Sequence, residues 1–375
     1  MIPSIARLSR SSTIGWIGLG AMGHPMALNL FTKTCQALQP DRPLPRFVIC
    51  EPSDKHAHAF LAELGGLASQ VDRVGSGREV AQAAARVITM LPSTPQVESV
   101  YLDSGTGILR GLKDVPSDTQ PLQVGLGSKD STIQPVPRNH APHTLLIDQT
   151  TLDPTFAISL AERVHSTVPR TVLLDAPVSG GIIAARAGTL SIMLGSPSPL
   201  ATSLAIPLLQ NMAREGGIVE CGKNGAGIGA KVCNNLILAI NQIALAEGLS
   251  LGKSLGIQEN ILHEVINSSS GQSWSSRSNT PLASVPLSPG SRAFQGGFQS
   301  RLMLKDVGLA LHAAHQHDLP TPLGWAAESV YSAVCTENDG EMAGKDFSVV
   351  YEWLRRKQAE GVERGWKDDL NSPTS

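Results

Sequence analysis

Excess basic charge, paired cysteines and long uninterrupted apolar runs are all missing from this 375-residue chain. Its 30 Lys and Arg stand against 32 Asp and Glu, a net charge of −2, so the basic footprint of a nucleic-acid binder is absent. The five cysteines, Cys35, Cys50, Cys221, Cys233 and Cys335, are scattered, odd in number and never spaced C-x-x-C. That argues against a disulfide framework or a zinc site and reads as free thiols in a reducing compartment. No apolar run reaches the roughly 20 residues of a membrane helix. The longest candidate, Gly225 to Leu249, is interrupted by Asn234, Asn235, Asn241, Gln242 and Glu247, so no membrane span is expected. Acids are missing from the start: none occurs before Asp41, while "MIPSIARLSRSS" carries Arg7, Arg10 and four serines. Residues 1–12 fit a short mitochondrial transit peptide, with a cytoplasmic protein and an unstructured start as the alternative.

What is present suits a globular chain: 41% hydrophobic and 17% charged residues, long enough for two domains. "STIGWIGLGAMGHPMALNL" reads as strand, tight turn and helix. "RFVICEPS", "ARVITMLP", "HTLLIDQTT" and "TVLLDAPVSGG" read as further strands, separated by helical stretches such as Lys55 to Leu64 and "PTFAISLAERVHS". Such alternation predicts a mostly parallel, doubly wound α/β sheet covered on both faces. Residues 114–143, with proline and glycine throughout, read as a surface insertion. A helix from Leu200 to Met212 and a short strand, "GIVEC", close this half. Beyond it the periodicity is helical in the Gly225 helix, "QENILHEVINSSS", "LMLKDVGLALHAAHQHD" and "LGWAAESVYSAVC". The predicted organisation is an α/β domain over 13–222, an all-helical domain over 223–358 and a polar tail over 359–375.

Gly18, Gly20 and Gly23 form G-x-G-x-x-G. The motif ends a strand and opens a helix, the context that a dinucleotide-binding fingerprint requires. The first glycine permits the tight turn, the second lets backbone approach a pyrophosphate, and the third lets helix and strand pack closely. The helix N-terminus offers free N–H groups to phosphates. The loop Gly18, Leu19, Gly20, Ala21, Met22 and Gly23 is therefore the expected cofactor cradle. Glu51, ending the second strand, suits the ribose hydroxyls of NAD and repels the 2′-phosphate of NADP.

"GWIGLGAMGHPMALNL", "DAPVSGG", "AARAGTLSIMLG", "GAKVCNNLILAI" and "FQGGFQSRLMLKDVGLA", in that order, resemble the 3-hydroxyisobutyrate dehydrogenases, members of the β-hydroxyacid dehydrogenase family. "SSGQSWSS" and "KDFSVVYEWL" resemble the same subfamily. The resemblance runs from about Thr13 to Leu354 and skips the insertion. It implies a Rossmann domain, a helical second domain and an active site between them. It implies Lys231 as the catalytic lysine, Asn235 as a substrate-holding amide, and Ser179, Gly180 and Gly181 as the turn that cradles the substrate carboxylate. It implies Lys305 near cofactor and substrate, and Leu91 and Pro92 under the adenosine side of NAD. Two departures stand out. "DQTT" replaces the usual serine-containing turn, so Thr150 takes a serine's place, its hydroxyl expected to bind the substrate carboxylate or the reacting oxygen, beside the retained Thr151, expected at the cofactor. Gln96 replaces the usual asparagine near the nicotinamide ribose.

The residue types suit hydride transfer, in which the protein must orient the cofactor and move one proton. A lysine serves as base and acid if burial lowers its pKa toward the working pH. That is why an amine belongs on an apolar helix. Asn235, four residues on, shares the face of Lys231. The "VSGG" turn offers backbone N–H groups to an anion. His312, His315 and His317 lack the i, i+4 spacing of a metal pair, and no metal is expected. Cys233 reads as a buried structural thiol, Trp274 as a pocket or loop-packing residue, and Asp148 as a structural hydrogen-bonder. The expected activity is NAD-dependent oxidation of 3-hydroxyisobutyrate to methylmalonate semialdehyde in valine breakdown. The alternatives are another short β-hydroxyacid, of the tartronate semialdehyde or hydroxybutyrate type, and an NAD-binding scaffold without turnover. No cluster of basic residues for a sugar phosphate is apparent. A homodimer or homotetramer in the mitochondrial matrix is expected, with neither nucleic acid nor membrane as partner.

Overall fold

The structure, a computed structural model, describes residues 10–38, 44–116, 119–122 and 142–360. Contacts divide the chain into two units, Met1–Lys231 and Val232–Ser375. Most of the insertion read at 114–143, residues 1–9 of the expected leader and nearly all of the polar tail lie outside the described residues.

Among the described residues the first unit is a nine-stranded sheet with helices between the strands. In chain order these are β1 (Ile14–Ile17), α1 (Gly23–Gln36), β2 (Phe47–Cys50), α2 (Asp54–Leu64), β3 (Val71–Val74), α3 (Gly77–Ala83), β4 (Arg86–Thr89), α4 (Thr94–Leu102), α5 (Ile108–Lys113), β5 (Thr144–Asp148), α6 (Pro154–Thr167), β6 (Thr171–Asp175), β7 (Val178–Ser179), α7 (Gly181–Ala187), β8 (Leu190–Gly195), α8 (Pro199–Leu209) and β9 (Ala213–Gly222). The strand order is β3-β2-β1-β4-β5-β6-β8-β7, with β9 beside β8. Strands β1 to β6 pair in parallel, in the dinucleotide-fold order whose direction reverses between β1 and β4. Strand β8 runs antiparallel to β6 and β7. Buried strands of this kind read as continuous apolar runs, as "IGWI" and "TLLID" do.

Local sequence starts the helices. Ser53 caps α2 by accepting from His56 N, Asp153 caps α6 by accepting from Phe156 N, and Pro154 occupies the first turn of α6. Helix α1 packs on the sheet through Phe31, stacked on Phe47 with ring centroids 4.0 Å apart, while Phe60 of α2 meets Phe31 edge-on. All three rings are fully buried, each contributing about 1.5–3 kcal/mol by leaving water.

Several expectations need correction. "TVLLDAPVSGG" is two strands, because Pro177 brings no N–H to a ladder and the chain turns to pair β7 with β8. "GIVEC" belongs to a ten-residue strand, β9. At the end of the segment read as a leader, Arg10–Ser12 form a turn of 3-10 helix held to the fold. The Arg10 guanidinium donates to the carbonyls of Ala81 and His143 and to the Thr144 hydroxyl. The buried Arg86 guanidinium reaches back to the Ser11 carbonyl.

The second unit takes most of α9 (Ala226–Ser254), then α10 (Glu259–Ser268), α11 (Trp274–Ser278), α12 (Ser300–Gln316), α13 (Pro322–Thr336) and α14 (Val350–Ala359). By length and composition α9 is apolar enough to cross a membrane, more so than its amides suggested. Its Ala239, Leu245, Ala246 and Leu249 enter a core with Met303, Val307, Tyr331 and Phe347. The unit boundary falls after Lys231, within α9, rather than at residue 222, because the first turn of α9 is bonded to β6.

Candidate active site

The expected cofactor residues of the first unit gather at the carboxyl ends of its parallel strands, where ligands of such sheets bind. Gly18 follows β1 with φ +95°, and a Cβ there would stand 2.3 Å from the Met90 carbonyl oxygen. A Cβ on Gly23 would stand 2.1 Å from the Gly18 carbonyl oxygen. Gly20 is different: nothing lies within 4 Å of where its Cβ would be. The loop is therefore closed on the sheet side and open at its middle glycine, as a backbone cradle for a pyrophosphate must be. Gly20 and Ala21 are exposed, and Met22 at the N-cap of α1 caps no amide with its side chain. The residues fit the dinucleotide.

Glu51 has a second role that sequence reasoning missed. Its Oε2 accepts from Leu19 N at 2.6 Å and its Oε1 from Ser53 N at 2.9 Å, so one carboxylate ties the glycine loop to the end of β2. Gly18→Ala is expected to break this arrangement, since both the positive φ and the Met90 carbonyl oppose a methyl group. Its NAD dissociation constant, read by fluorescence titration, should rise at least tenfold; an unchanged constant would remove Gly18 from the cradle.

Leu91 and Pro92 follow β4, and Thr150 and Thr151 follow β5. The two loops are joined: Leu91 N donates to Thr150 Oγ1 at 3.0 Å. Thr150 is fully buried, and its hydroxyl donates to Asp148 Oδ1 at 2.8 Å. Thr89 Oγ1 donates to the same oxygen at 2.7 Å, and Tyr101 lies behind it. In this arrangement the Thr150 hydroxyl positions the loops. Asp148 Oδ2 has no hydrogen-bond partner among the described residues. Burial pushes the Asp148 carboxyl up to about 7 against the pull of the Thr89 and Thr150 hydroxyls, with Asp175 adding to the rise. Gln96 is exposed on α4 and accepts from the Ser93 hydroxyl.

Ser179 ends β7, and Gly180 and Gly181 carry φ +132° and +65°. A Cβ at Gly180 would collide with Ala184, whereas Gly181 has nothing near its Cβ position. The turn is thus a glycine turn by necessity, with Gly180 exposed and Ser179 half-buried.

Lys231 lies in the second turn of α9 and is 6% exposed. The helix start is fixed from β6: Asp175 Oδ1 accepts from Gly225 N at 2.7 Å and Oδ2 from Ile228 N at 3.0 Å. Sequence reading passed over Asp175 within "DAPVSGG"; the signal was the glycine pair Gly225 and Gly227, which marks a close backbone approach. In the second unit, Asn235 is buried, donates from Nδ2 to Asp306 Oδ2 at 2.6 Å and accepts from Asn234 Nδ2 at 3.1 Å. Lys305 Nζ lies 3.3 Å from Asp306 Oδ1, so the buried Asp306 gathers both expected site residues of this unit. Sequence reasoning missed it because an acid on an amphipathic helix usually faces water. Cys233 is exposed rather than buried; two residues from both Lys231 and Asn235, it points away from their face of the helix. Trp274 is 55% exposed.

Comparison with known proteins agrees with this geometry. Residues 13–116 and 127–224 match the family described as the NAD binding domain of 6-phosphogluconate dehydrogenase. Residues 225–354 match the family described as NAD-binding of NADP-dependent 3-hydroxyisobutyrate dehydrogenase. The probable mitochondrial 3-hydroxyisobutyrate dehydrogenase of Arabidopsis thaliana is 36% identical, covering 93% of this chain and 91% of the relative. The 3-hydroxyisobutyrate dehydrogenase of Pseudomonas aeruginosa is 35% identical, covering 92% and 99%. The solved 3-hydroxyisobutyrate dehydrogenase of Mycobacterium tuberculosis with L-serine superposes with a TM-score of 0.71 at 33% identity, covering 92% of this chain and 99% of that one. With an NAD-binding unit of matching topology and relatives aligned over nearly their whole length, the chain belongs to the 3-hydroxyisobutyrate dehydrogenase family.

Proposed function

We propose that this protein oxidises 3-hydroxyisobutyrate to methylmalonate semialdehyde with NAD, a step of valine breakdown, and that Lys231 is its general acid and base. The observation that carries the reading is a lysine only 6% exposed near the start of α9, in a chain that keeps the glycine loop and the Ser179–Gly181 turn. The residues that would hold NAD are Gly18 to Gly23, Leu91, Pro92, Gln96, Thr151 and Lys305, and the cofactor would supply the hydride acceptor. Lys231 Nζ takes the proton of the substrate hydroxyl as its carbon is oxidised and returns it in the reverse direction. Backbone N–H groups of Gly180 and Gly181, with the Ser179 hydroxyl, hold the substrate carboxylate. Asn235 holds the substrate by its amide, and Thr150 sets the loop beside it. Glu51 favours NAD over NADP by its charge.

The test is absorbance of reduced cofactor with purified protein, each substrate being offered with NAD and with NADP. The panel holds 3-hydroxyisobutyrate, L-serine, tartronate, 3-hydroxypropionate and 4-hydroxybutyrate. Fastest turnover on 3-hydroxyisobutyrate with NAD supports the reading. A different preferred acid replaces the substrate but keeps the reaction, and binding of NAD without any turnover points to a scaffold.

Two further properties belong to the same reading. Mitochondrial location is supported by the names of several relatives, from Arabidopsis thaliana, Mus musculus and Homo sapiens. A homodimer or homotetramer is supported by the exposed apolar side chains of the second unit, Leu251, Leu255, Ile257, Ile261 and Val265. Sedimentation showing monomer alone at micromolar concentration would exclude such an assembly.

A further inference from the structure

We propose that Asp175 is the positioning residue for Lys231: its carboxylate clamps the first turn of α9 and so sets where the lysine amine is presented. The inference rests on the reading of Lys231 as the acid–base group.

The geometry is a two-pronged cap. Asp175 is the last residue of β6 and is 5% exposed. One oxygen holds Gly225 N at 2.7 Å and the other holds Ile228 N at 3.0 Å. A side-chain oxygen at a helix start ordinarily satisfies one orphan amide; here one carboxylate takes two, in charge-assisted bonds at the positive end of a long helix. Lys231 follows Ile228 by three residues, a rise of about 4.5 Å along the axis. With less than one turn between the clamp and the lysine, a shift or rotation of the first turn passes directly to the Lys231 backbone.

The surroundings leave no second position for the carboxylate. A Cβ on Gly195 would stand 2.4 Å from Asp175 Oδ1 and 2.5 Å from Oδ2. A Cβ on Gly227 would stand 2.4 Å from the Met193 carbonyl oxygen and 2.9 Å from Asp175 Oδ2. Glycines at these two places let β8 and α9 close around the group. Asn224, just before the helix, donates to the Leu173 carbonyl at 2.7 Å, so the loop delivering Gly225 N is pinned to the same strand. Asp148 occupies the paired position on β5. Burial raises the Asp175 carboxyl, and the amides of Gly225 and Ile228 oppose that rise. A helix needing only a cap would be served by a partly exposed serine, as α2 is. A buried carboxylate carries a desolvation cost and gives in return a fixed direction.

The experiment uses the full chain with NAD and its best hydroxyacid, comparing wild type, Asp175→Asn, Asn224→Ala and Lys231→Ala. Asparagine keeps the shape but turns an NH2 toward one of the two amides. Asp175→Asn is expected to lower kcat by ~10–100-fold while the hydroxyacid KM and the NAD dissociation constant stay within about threefold. Asn224→Ala should show the same split with a loss of about three- to tenfold. A role in stability alone would lower the folded fraction and the melting temperature and leave kcat per folded molecule intact; that result overturns the proposal. Wild-type kcat in either variant overturns it as well, and if Asp175→Asn does not fold, Asn224→Ala decides. Lys231→Ala separates the two levels. If it retains wild-type kcat, the acid–base reading fails and this inference falls with it. If it loses activity while Asp175→Asn does not, only the clamp is wrong.

Discussion

Replacing Lys231 with alanine is expected to lower kcat by about 10²–10⁴-fold, the range for loss of a positioned acid–base group, while NAD still binds with near wild-type affinity. The glycine loop and Glu51, proposed here to hold the cofactor, lie at other strand ends and do not depend on the amine. Lys231→Arg should fail nearly as badly, because a guanidinium does not give up its proton at working pH and cannot act as a base. Stopped-flow measurement of cofactor reduction beside a binding titration separates the two properties. A Lys231→Ala enzyme within threefold of wild type would transfer the proton-handling role to another group.

The second large effect concerns stability. Asp148→Asn should stabilise the protein progressively as pH rises from about 4 to about 7. In the folded state burial holds the Asp148 carboxyl at about 7, against an ordinary value of 3.8. Below pH 4 the group is protonated in both states and adds no penalty. Between 4 and 7 the unfolded chain ionises while the folded one keeps its proton, so wild-type stability falls with pH. Above 7 the penalty is complete, up to about 4 kcal/mol for some three units of displacement. Asparagine does not titrate in this range, and its Oδ1 can accept from Thr89 and Thr150 as Asp148 Oδ1 does. Its NH2 takes the place of an oxygen that has no partner among the described residues. Urea denaturation at pH 5 and pH 8 reads the difference directly; a stability gap independent of pH would refute the buried ionisation.

Much of the fold was legible because short apolar strands alternate with capped helices, and because Gly18, Gly20 and Gly23 sit where one strand gives way to a helix. What escaped notice depended on partners far away in sequence. Strand β3, "VDRV", is half-exposed and carries no apolar run, so only its pairing with β2 makes it a strand. Asp175 and Asp306 were hidden for the same reason. An acid announces itself as a ligand of backbone amides or of a buried asparagine only once the chain has closed around it. Arg10 is another such case, since nothing in an arginine among serines announces Ala81, His143 and Thr144 as its partners.

That arginine draws a line between addressing and architecture. Its guanidinium satisfies carbonyls from α3 and from the start of β5, and the Ser11 carbonyl does the same for the buried Arg86. A protease that trims the front of this chain can remove up to nine residues without touching either contact. Loss of one further residue would strip the donor from the Ala81 and His143 carbonyls, and loss of the next would take the Ser11 acceptor from the buried Arg86. Residues 10 and 11 thus act as a fastener, and a cut at or beyond Arg10 is the first that would begin to loosen the sheet.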